Sequence, residues 1–261
     1  MPDQMKIQAA SKPLMNLRGR IIRVPSGGPI RTILDFSPLH PCGRFMSAKV
    51  HRPMDWEATH ERHLYWICEA DTAVVLFLSQ PHRLEMFLQG RTRPLVYYPD
   101  LWRKFADGRV EIVETKRSKN EISDDPEYEE KIGFAKQLYA ENRGWTFRVL
   151  TAADDIDVEP VLSNARSIKR DAFARIRTRD KLLLLEAIEK AGGQISYAAA
   201  IDAVAAGGRT GRLGAQAKLH AMVVRRIAHI DIYRLPILDD TPVTAVRDPQ
   251  YVLPKQSGGD R

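Results

Sequence analysis

The stretch VYYPDLWRKFADGRVEIVETKRS, residues 96–118, decides the fold class of the chain. It contains two apolar runs on either side of Asp107-Gly108, a dipeptide typical of hairpin turns, so it predicts two antiparallel strands. Asp100 follows the first run, and Glu114 and Lys116 end the second. Either the hairpin has a solvated polar rim or its acidic groups form a site. Residues elsewhere in the chain are needed to separate these interpretations.

The spacing of the polar residues in this hairpin favours a metal site. Side chains two positions apart on a strand point to the same face, so Glu114 and Lys116 share a face. Asp100 on the neighbouring strand would lie beside them. Converging carboxylates repel each other unless a divalent cation lies between them, and Mg²⁺ prefers such ligands. Water bound to the cation could then hydrolyse a phosphodiester, with Lys116 orienting that water or neutralising the phosphate.

The flanking sequence predicts an α/β layer fold. A helix with Asp55 as its N-cap is expected over residues 54–70. A second helix is expected over 126–142 and would be ended by Gly144. The runs with strand character are 73–78, 84–88, 93–98, 110–114 and 147–150.

A second domain is expected in the C-terminal third. Three helical segments, of which the second has Ser196 as N-cap, are followed by a β-hairpin, and this order is typical of a winged helix-turn-helix. Before the α/β domain, Ile21-Ile22 could add an edge strand. The expected segments are a basic N-terminal arm at 1–48, the α/β domain at 49–152, a linker at 153–178, the winged-helix-like domain at 179–248 and a disordered tail at 249–261.

Charge is distributed unevenly along the 261 residues, which carry a net charge of +7. The net charge is +6 over residues 1–50, −2 over 51–150 and +3 over 151–261. A slightly acidic middle with basic flanks suits a core that holds cations between segments that contact phosphates. A net charge of this size is also ordinary for a chain of this length.

The cysteines and the apolar segments of the sequence indicate the cellular compartment that we expect for the protein. Cys42 and Cys68 lie in no CxxC or CxxH spacing, so they are expected to be reduced thiols in a cytoplasmic protein. No apolar run approaches the roughly 18–20 residues of a membrane span. The N-terminus lacks the apolar region of a signal peptide, and no membrane partner is expected.

The stretch WEATHERHLYWICEADTAVVLFLSQP, residues 56–81, resembles the N-terminal part of the TnsA-like transposon endonuclease family. The shared features are an acid-x-x-x-Glu-Arg helix, a Glu-Ala-Asp exit, a buried Val-Val strand and Gln80-Pro81. The family continues with Tyr-x-Pro-Asp, here residues 97–100, then a Gly turn and a strand ending in an acid or Gln, one residue and Lys. The resemblance covers about residues 45–150 and, more loosely, the region to about 246.

The resemblance implies a fold and a set of site residues. The family belongs to the PD-(D/E)xK superfamily, so residues 49–152 would form a nuclease domain with a restriction-endonuclease-like mixed sheet flanked by helices. Glu61 matches the helix glutamate that completes the metal site, Asp100 the metal-bridging aspartate and Lys116 the catalytic lysine. Glu114 stands where members have Gln or Glu, and a Glu is the better ligand. The implied metal ligands are therefore Glu61, Asp100 and Glu114.

Other positions near this set leave alternatives open. Glu57, one turn before Glu61, is the second candidate for the helix ligand, and both glutamates could instead form an exposed face paired with arginines. Gln80 matches a family glutamine with a structural or supporting role. His60 and His63 flank Glu61 and are expected to be surface histidines rather than zinc ligands.

The resemblance also implies an activity and partners. It implies a Mg²⁺-dependent DNA endonuclease, with Mn²⁺ as a substitute, that cuts the 5′ ends of a mobile element within a heteromeric transposase. The other subunits would be a DDE-type transposase and an ATPase regulator. Arg209, Arg212 and Lys218 are the first candidates for DNA contacts. The alternatives are a stand-alone restriction or repair nuclease and a non-catalytic DNA-binding adaptor.

Overall fold

The structure, a computed structural model, describes residues 18–24, 29–31, 41–208 and 211–246. Much of the expected N-terminal arm and the whole of the expected tail, 249–261, lie outside these residues. The strands are β1 Arg18–Ile22, β2 Gly43–Ser47, β3 Arg52–Trp56, β4 Val74–Ser79, β5 Arg83–Phe87, β6 Leu95–Tyr97, β7 Leu101–Phe105, β8 Val110–Lys116, β9 Thr146–Thr151, β10 Gln194–Ser196, β11 Ala228–His229 and β12 Pro242–Ala245. The helices are α1 Thr59–Ala70, α2 Asn120–Ser123, α3 Pro126–Arg143, α4 Val161–Arg170, α5 Thr178–Lys190, α6 Tyr197–Ala205 and α7 Arg212–Val224, with a π-helical turn at Ala152–Ile156.

The central sheet has four strands in the order β4-β7-β8-β9. The β8–β9 pair is parallel and the other two pairs are antiparallel, so the sheet is mixed, as the family resemblance implied. This α/β architecture is compatible with a restriction-endonuclease-like fold.

The hairpin around Asp107-Gly108 differs from the prediction in its first strand. The strand that pairs with β8 is β7, with Leu101 opposite Val113, and not the run 93–98. Leu101, Arg103 and Phe105 alternate with Trp102 and Lys104, so this segment follows the period of a strand despite its charges. Strand β6 instead pairs with β5 in a second sheet of order β1-β5-β6. The edge strand expected at Ile21-Ile22 is confirmed as β1.

The first helix begins later than predicted. Residues 52–56 form β3, which pairs with β2 from the end of the expected arm, and α1 starts at Thr59. Asp55 is therefore a strand residue whose carboxylate accepts a hydrogen bond from Arg44 Nε at 2.7 Å, and not an N-cap. The N-cap position is Ala58, which makes no side-chain cap. Pairing with a strand distant in sequence overrides the helical pattern here.

The two faces of the central sheet bury different helices. Leu101 and Val113 pack on the side of α1, in one core with Leu64. Ile112 packs on the opposite side with Leu138 of α3. The predicted helix at 126–142 is confirmed as α3, which is one residue longer. Asp125 caps its start by accepting a hydrogen bond from Tyr128 N at 3.1 Å, and Gly144 ends it at φ 64°.

The expected linker at 153–178 contains an ordered, buried helix. One face of α4 is apolar at helical spacing through Val161, Ala165 and Ile168, and it packs against α1 and α7. Asn164 lies on the same face and is 4% exposed. The charged residues of the segment occupy the other face, so its composition concealed the helix.

The C-terminal region combines α5, α6 and α7 with a small antiparallel sheet of order β10-β12-β11. Ser196 caps α6 as expected, accepting from Ala199 N at 3.2 Å. The sheet has one strand more than the expected hairpin, because β10 precedes α6 and pairs with β12. None of the described helices is long and apolar enough to cross a membrane.

Candidate active site

Asp100 lies between β6 and β7, at the end of the central sheet where β8 finishes. Its carbonyl oxygen accepts a hydrogen bond from Gln80 N at 2.9 Å, which fixes the main chain. Its Oδ2 accepts from Thr115 N at 2.6 Å and from Thr115 Oγ1 at 2.8 Å. The end of β8 therefore orients the Asp100 carboxylate.

Glu114 and Lys116 occupy the opposite face of β8 from Thr115, because side chains alternate along a strand. Glu114 is 3% exposed and accepts hydrogen bonds from the hydroxyls of Tyr97, at 2.5 Å, and Tyr128. Lys116 Nζ lies 2.9 Å from Glu114 Oε1 and 4.5 Å from the Tyr128 ring centroid. The sequence prediction that Glu114 and Lys116 share a face is met by this contact.

Glu61 lies in the first turn of α1 and is buried. Its Oε2 accepts a hydrogen bond from Glu57 N at 2.8 Å, so it satisfies an amide at the start of the helix. Burial raises the pKa of Glu61 to about 7, and the charges of Glu57 and Glu114 act in the same direction.

The carboxylates of this region influence one another. Burial, followed by the charges of Glu114 and Glu61, raises the pKa of Asp100 well above its usual range. Burial of Lys116 acts to lower the pKa of its ammonium, but Glu114 and Asp100 outweigh it and the pKa is raised. One ammonium thus accompanies three acidic groups at this end of the sheet.

The donor set fits a hard divalent cation. In the described part of the chain, no three His, Cys, Asp or Glu side chains already form a metal-ligand cluster. Each acid is held instead by donors of the protein, which are Thr115 for Asp100, the two tyrosines for Glu114 and an amide for Glu61. A cation between these groups would nevertheless offset the charge repulsion by which Glu114 and Glu61 raise the pKa of Asp100, and carboxylate oxygens are of the type that Mg²⁺ prefers.

The two supporting candidates lie next to this set. Glu57 precedes α1 and is not one helical turn before Glu61, because the helix starts at Thr59. The side chain of Glu57 is 43% exposed and lies 3.8 Å from Arg31, so Glu61 is the better placed of the two. Gln80 is buried at φ 41°, and its Oε1 has no hydrogen-bond partner among the described residues.

His60 and His63, which flank Glu61, were expected to be surface residues, but both are partly buried. The side chain of His63 is 13% exposed, and its Nδ1 lies 2.6 Å from Asp157 Oδ1. Burial is the largest influence on His60 and lowers its pKa.

The candidate DNA contacts have different outcomes. Arg209 lies outside the described residues. Arg212 begins α7, is half exposed and pairs with Asp202 at 2.5 Å. The prediction for Lys218 is not supported, because its side chain is 12% exposed and its ammonium lies 2.8 Å from the buried carboxylate of Asp180. An ion pair between residues so far apart in sequence gave no signal in the sequence.

Sequence reasoning missed the residues that hold the acids. Tyr97, Tyr128 and Thr115 are not among the site residues predicted from the sequence. The sequence does indicate the position of Thr115, because a residue between Glu114 and Lys116 on a strand must face the other side of the sheet. The sequence does not indicate that the hydroxyls of Tyr97 and Tyr128 bind Glu114, since tertiary packing brings them together.

Fold and site together define a class of protein. A mixed sheet that brings an Asp, a Glu and a Lys together at one end is compatible with a restriction-endonuclease-like nuclease. Residues 71–152 match the family model described as TnsA-like endonuclease N terminal, so the family recognised from the sequence is confirmed over this segment. The matched segment contains Asp100, Glu114 and Lys116 and indicates a nuclease related to transposase subunits. No curated protein matches the chain.

Proposed function

We propose that the chain is a Mg²⁺-dependent DNA endonuclease subunit of a heteromeric transposase, with Mn²⁺ as a substitute. It would hydrolyse phosphodiester bonds at the 5′ ends of a mobile element. The observation that carries this proposal is that Asp100, which β8 orients, and the Glu114–Lys116 pair lie at one end of the central sheet, with Glu114 and Glu61 both near enough to raise the pKa of Asp100. The match to TnsA-like endonucleases over residues 71–152 supports it.

Each residue has a role in this proposal. Glu61, Asp100 and Glu114 would hold the cation, which supplies an activated water and stabilises charge on the phosphoryl oxygens. Lys116, whose pKa is raised, stays protonated at neutral pH and presents a positive charge for the phosphate. Thr115 holds Asp100 in one orientation from the opposite face of β8.

Calorimetric titration with Mg²⁺ and Mn²⁺ tests the proposal without a partner or the natural DNA ends. Asp100→Asn should abolish binding, because it removes a charged ligand while keeping the shape of the side chain. Asp107→Asn is the matched control, since Asp107 lies in the turn of the same hairpin and is 53% exposed. Circular dichroism would verify that both variants fold. Failure of the wild-type chain to bind either metal, even with DNA present, would remove the basis of the proposal.

The C-terminal region supports the rest of the proposal. The order helix, strand, helix, helix, strand, strand from α5 to β12 is that of a winged helix, so we assign this region to DNA contact with Arg212 as first candidate. A DDE-type transposase subunit and an ATPase regulator are the proposed partners. Arg212→Gln should weaken binding of a labelled duplex in a gel-shift assay, and an unchanged affinity would remove Arg212 from the interface.

A further inference from the structure

Helices α1 and α4 present three cations to the face of one indole. Arg62 Cζ lies 5.1 Å from the ring centroid of Trp66, Arg166 Cζ 5.9 Å and Lys169 Nζ 5.8 Å. We call these four residues the Trp66 patch. Arg62 comes from α1, whereas Arg166 and Lys169 lie three positions apart on α4, so the packing of the two helices creates the patch.

The positive charges of the patch are not neutralised within the described structure. Among the residues described, no carboxylate pairs with Arg62, Arg166 or Lys169. The His63 ring centroid lies 4.8 Å from that of Trp66, and the carboxylate of Asp157 contacts His63 Nδ1 at 2.6 Å. Like charges this close repel one another, so an anion bound at the patch would stabilise it.

Two hydrogen-bond donors of the patch lack an acceptor among the described residues, which also favours an anionic ligand. Arg62 Nε and Trp66 Nε1 are buried, and neither has an acceptor in the part of the chain that the structure describes. A buried N–H group without an acceptor is costly, so Arg62 and Trp66 gain if their side chains shift toward an anion that first contacts the exposed Arg166 and the half-buried Lys169. Arginine is well suited to phosphate, because its planar fork makes paired hydrogen bonds.

We propose that the Trp66 patch binds the phosphodiester backbone of the DNA strand beside the cleavage position. The inference rests on the proposed nuclease function, which it deepens by placing substrate backbone on α1 and α4. Its position favours DNA over an acidic protein, because Arg62 directly follows the candidate metal ligand Glu61 in the first turns of α1.

The test is DNA binding by the full chain in EDTA, measured by fluorescence anisotropy with a labelled duplex over a range of salt concentrations. The variant Arg166→Gln/Lys169→Gln removes two charges from the patch and leaves the half-buried Arg62 in place. The control Lys104→Gln/Lys136→Gln removes two exposed lysines from β7 and α3. Circular dichroism would check both variants for folding.

The patch variant should bind on the order of tenfold more weakly at about 0.1 M salt. The slope of log K against log salt should fall by about 1 for each lost phosphate contact. The control should keep the wild-type slope.

Equal slopes for the wild type and the patch variant would overturn the inference and leave an acidic protein as the occupant. Absence of DNA binding by the wild type would overturn it as well. The metal titration decides the nuclease proposal separately, because it needs no DNA. A chain that binds metal while the patch variant binds DNA normally would retain the nuclease site and lose this inference alone.

Discussion

At the scale of single residues, the alternation of β8 divides the candidate site between two faces of one sheet. Glu114 and Lys116 face α3, whereas Thr115 faces α1 and holds Asp100. Neighbouring residues in sequence therefore serve the site from opposite sides. The residue that orients Asp100, Thr115, is thus the immediate neighbour of Glu114 in the sequence.

Loss of the Thr115 hydroxyl should weaken metal binding at the proposed site. Thr115→Val keeps the shape and the amide bond to Asp100 but removes the bond from Oγ1. Since groups that orient metal ligands typically contribute about 10–100-fold to affinity, we expect a loss in that range by calorimetry. Thr115→Ser is the control and should retain most of the affinity. A Val variant that binds as the wild type does would show that the amide alone orients Asp100.

His82 should make the protein sensitive to acid. Burial, with Arg23 and Arg143, lowers the pKa of His82 to about 3, and its Nε2 lies 2.6 Å from Tyr139 Oη. Below its ordinary pKa, the unfolded chain binds a proton at this residue that the folded chain does not, so stability falls as pH decreases from about 6.5. The loss from His82 should reach about 2 kcal/mol between about pH 7 and about pH 5.

Urea unfolding at several pH values measures this contribution. His82→Gln cannot titrate and keeps a hydrogen-bonding side chain, so its stability should depend less on pH than that of the wild type. The difference in pH dependence is the readout, and not the absolute stability. Parallel curves for the two proteins would show that His82 does not cause acid sensitivity.

At the scale of elements, two glycines of one helix should respond in opposite directions to the same substitution. Gly144 ends α3 in the left-handed region at φ 64°, where a side chain is strained. Gly144→Ala should lower the free energy of unfolding by about 1 kcal/mol. Gly133 lies inside α3, and a Cβ there meets nothing within 4 Å. Gly133→Ala should therefore raise the free energy of unfolding by about 0.5–1 kcal/mol. Thermal unfolding checks both, and equal signs would contradict the assignment of the helix end.

The side-chain amide of Asn164 links helix α4 to the C-terminal region, in addition to the packing of α4 on α7. Asn164 Nδ2 donates to Ile232 O at 3.0 Å and to Leu235 O at 2.8 Å, and its Oδ1 accepts from Ile237 N at 3.0 Å. Asn164→Ala leaves one buried and two partly buried main-chain groups without their side-chain partner and should cost about 2–4 kcal/mol in urea unfolding. Ser163→Ala, at the exposed neighbouring position, should change stability by less than about 0.5 kcal/mol. A small effect at Asn164 would mean that water replaces the lost bonds.

At the scale of the whole molecule, the α/β part and the C-terminal region share one core. Leu64 of α1, Ile168 of α4 and Leu219 of α7 belong to the same buried cluster. A chain of buried hydrogen bonds adds to it, since Tyr197 Oη lies 2.6 Å from His220 Nε2 and His220 Nδ1 2.7 Å from Asp171 Oδ2. The two regions should therefore unfold together.

Two spectroscopic probes can separate the regions during unfolding. All four tryptophans, at positions 56, 66, 102 and 145, lie in the α/β part, so their fluorescence reports on it alone. Far-ultraviolet circular dichroism also includes α5, α6 and α7. We expect coincident thermal midpoints from the two probes. Midpoints that differ would show two independently folding units and contradict the shared core.

The sequence by itself determined the local features of this protein. The Asp107-Gly108 turn, the shared face of Glu114 and Lys116, and both ends of α3 follow from turn chemistry, strand period and capping, which act over a few residues. The resemblance to TnsA-like endonucleases also lay in contiguous motifs. These features required no knowledge of which distant segments meet.

Only the tertiary structure decided which segments pair. It chose β7 rather than β6 as the partner of β8, shortened α1 by forming β3 on β2, and buried α4 in the expected linker. It also placed the ammonium of Lys218 on Asp180. Strand pairing, helix packing and buried ion pairs join residues that are far apart in sequence, and their free energy depends on the whole core, so no local pattern could specify them.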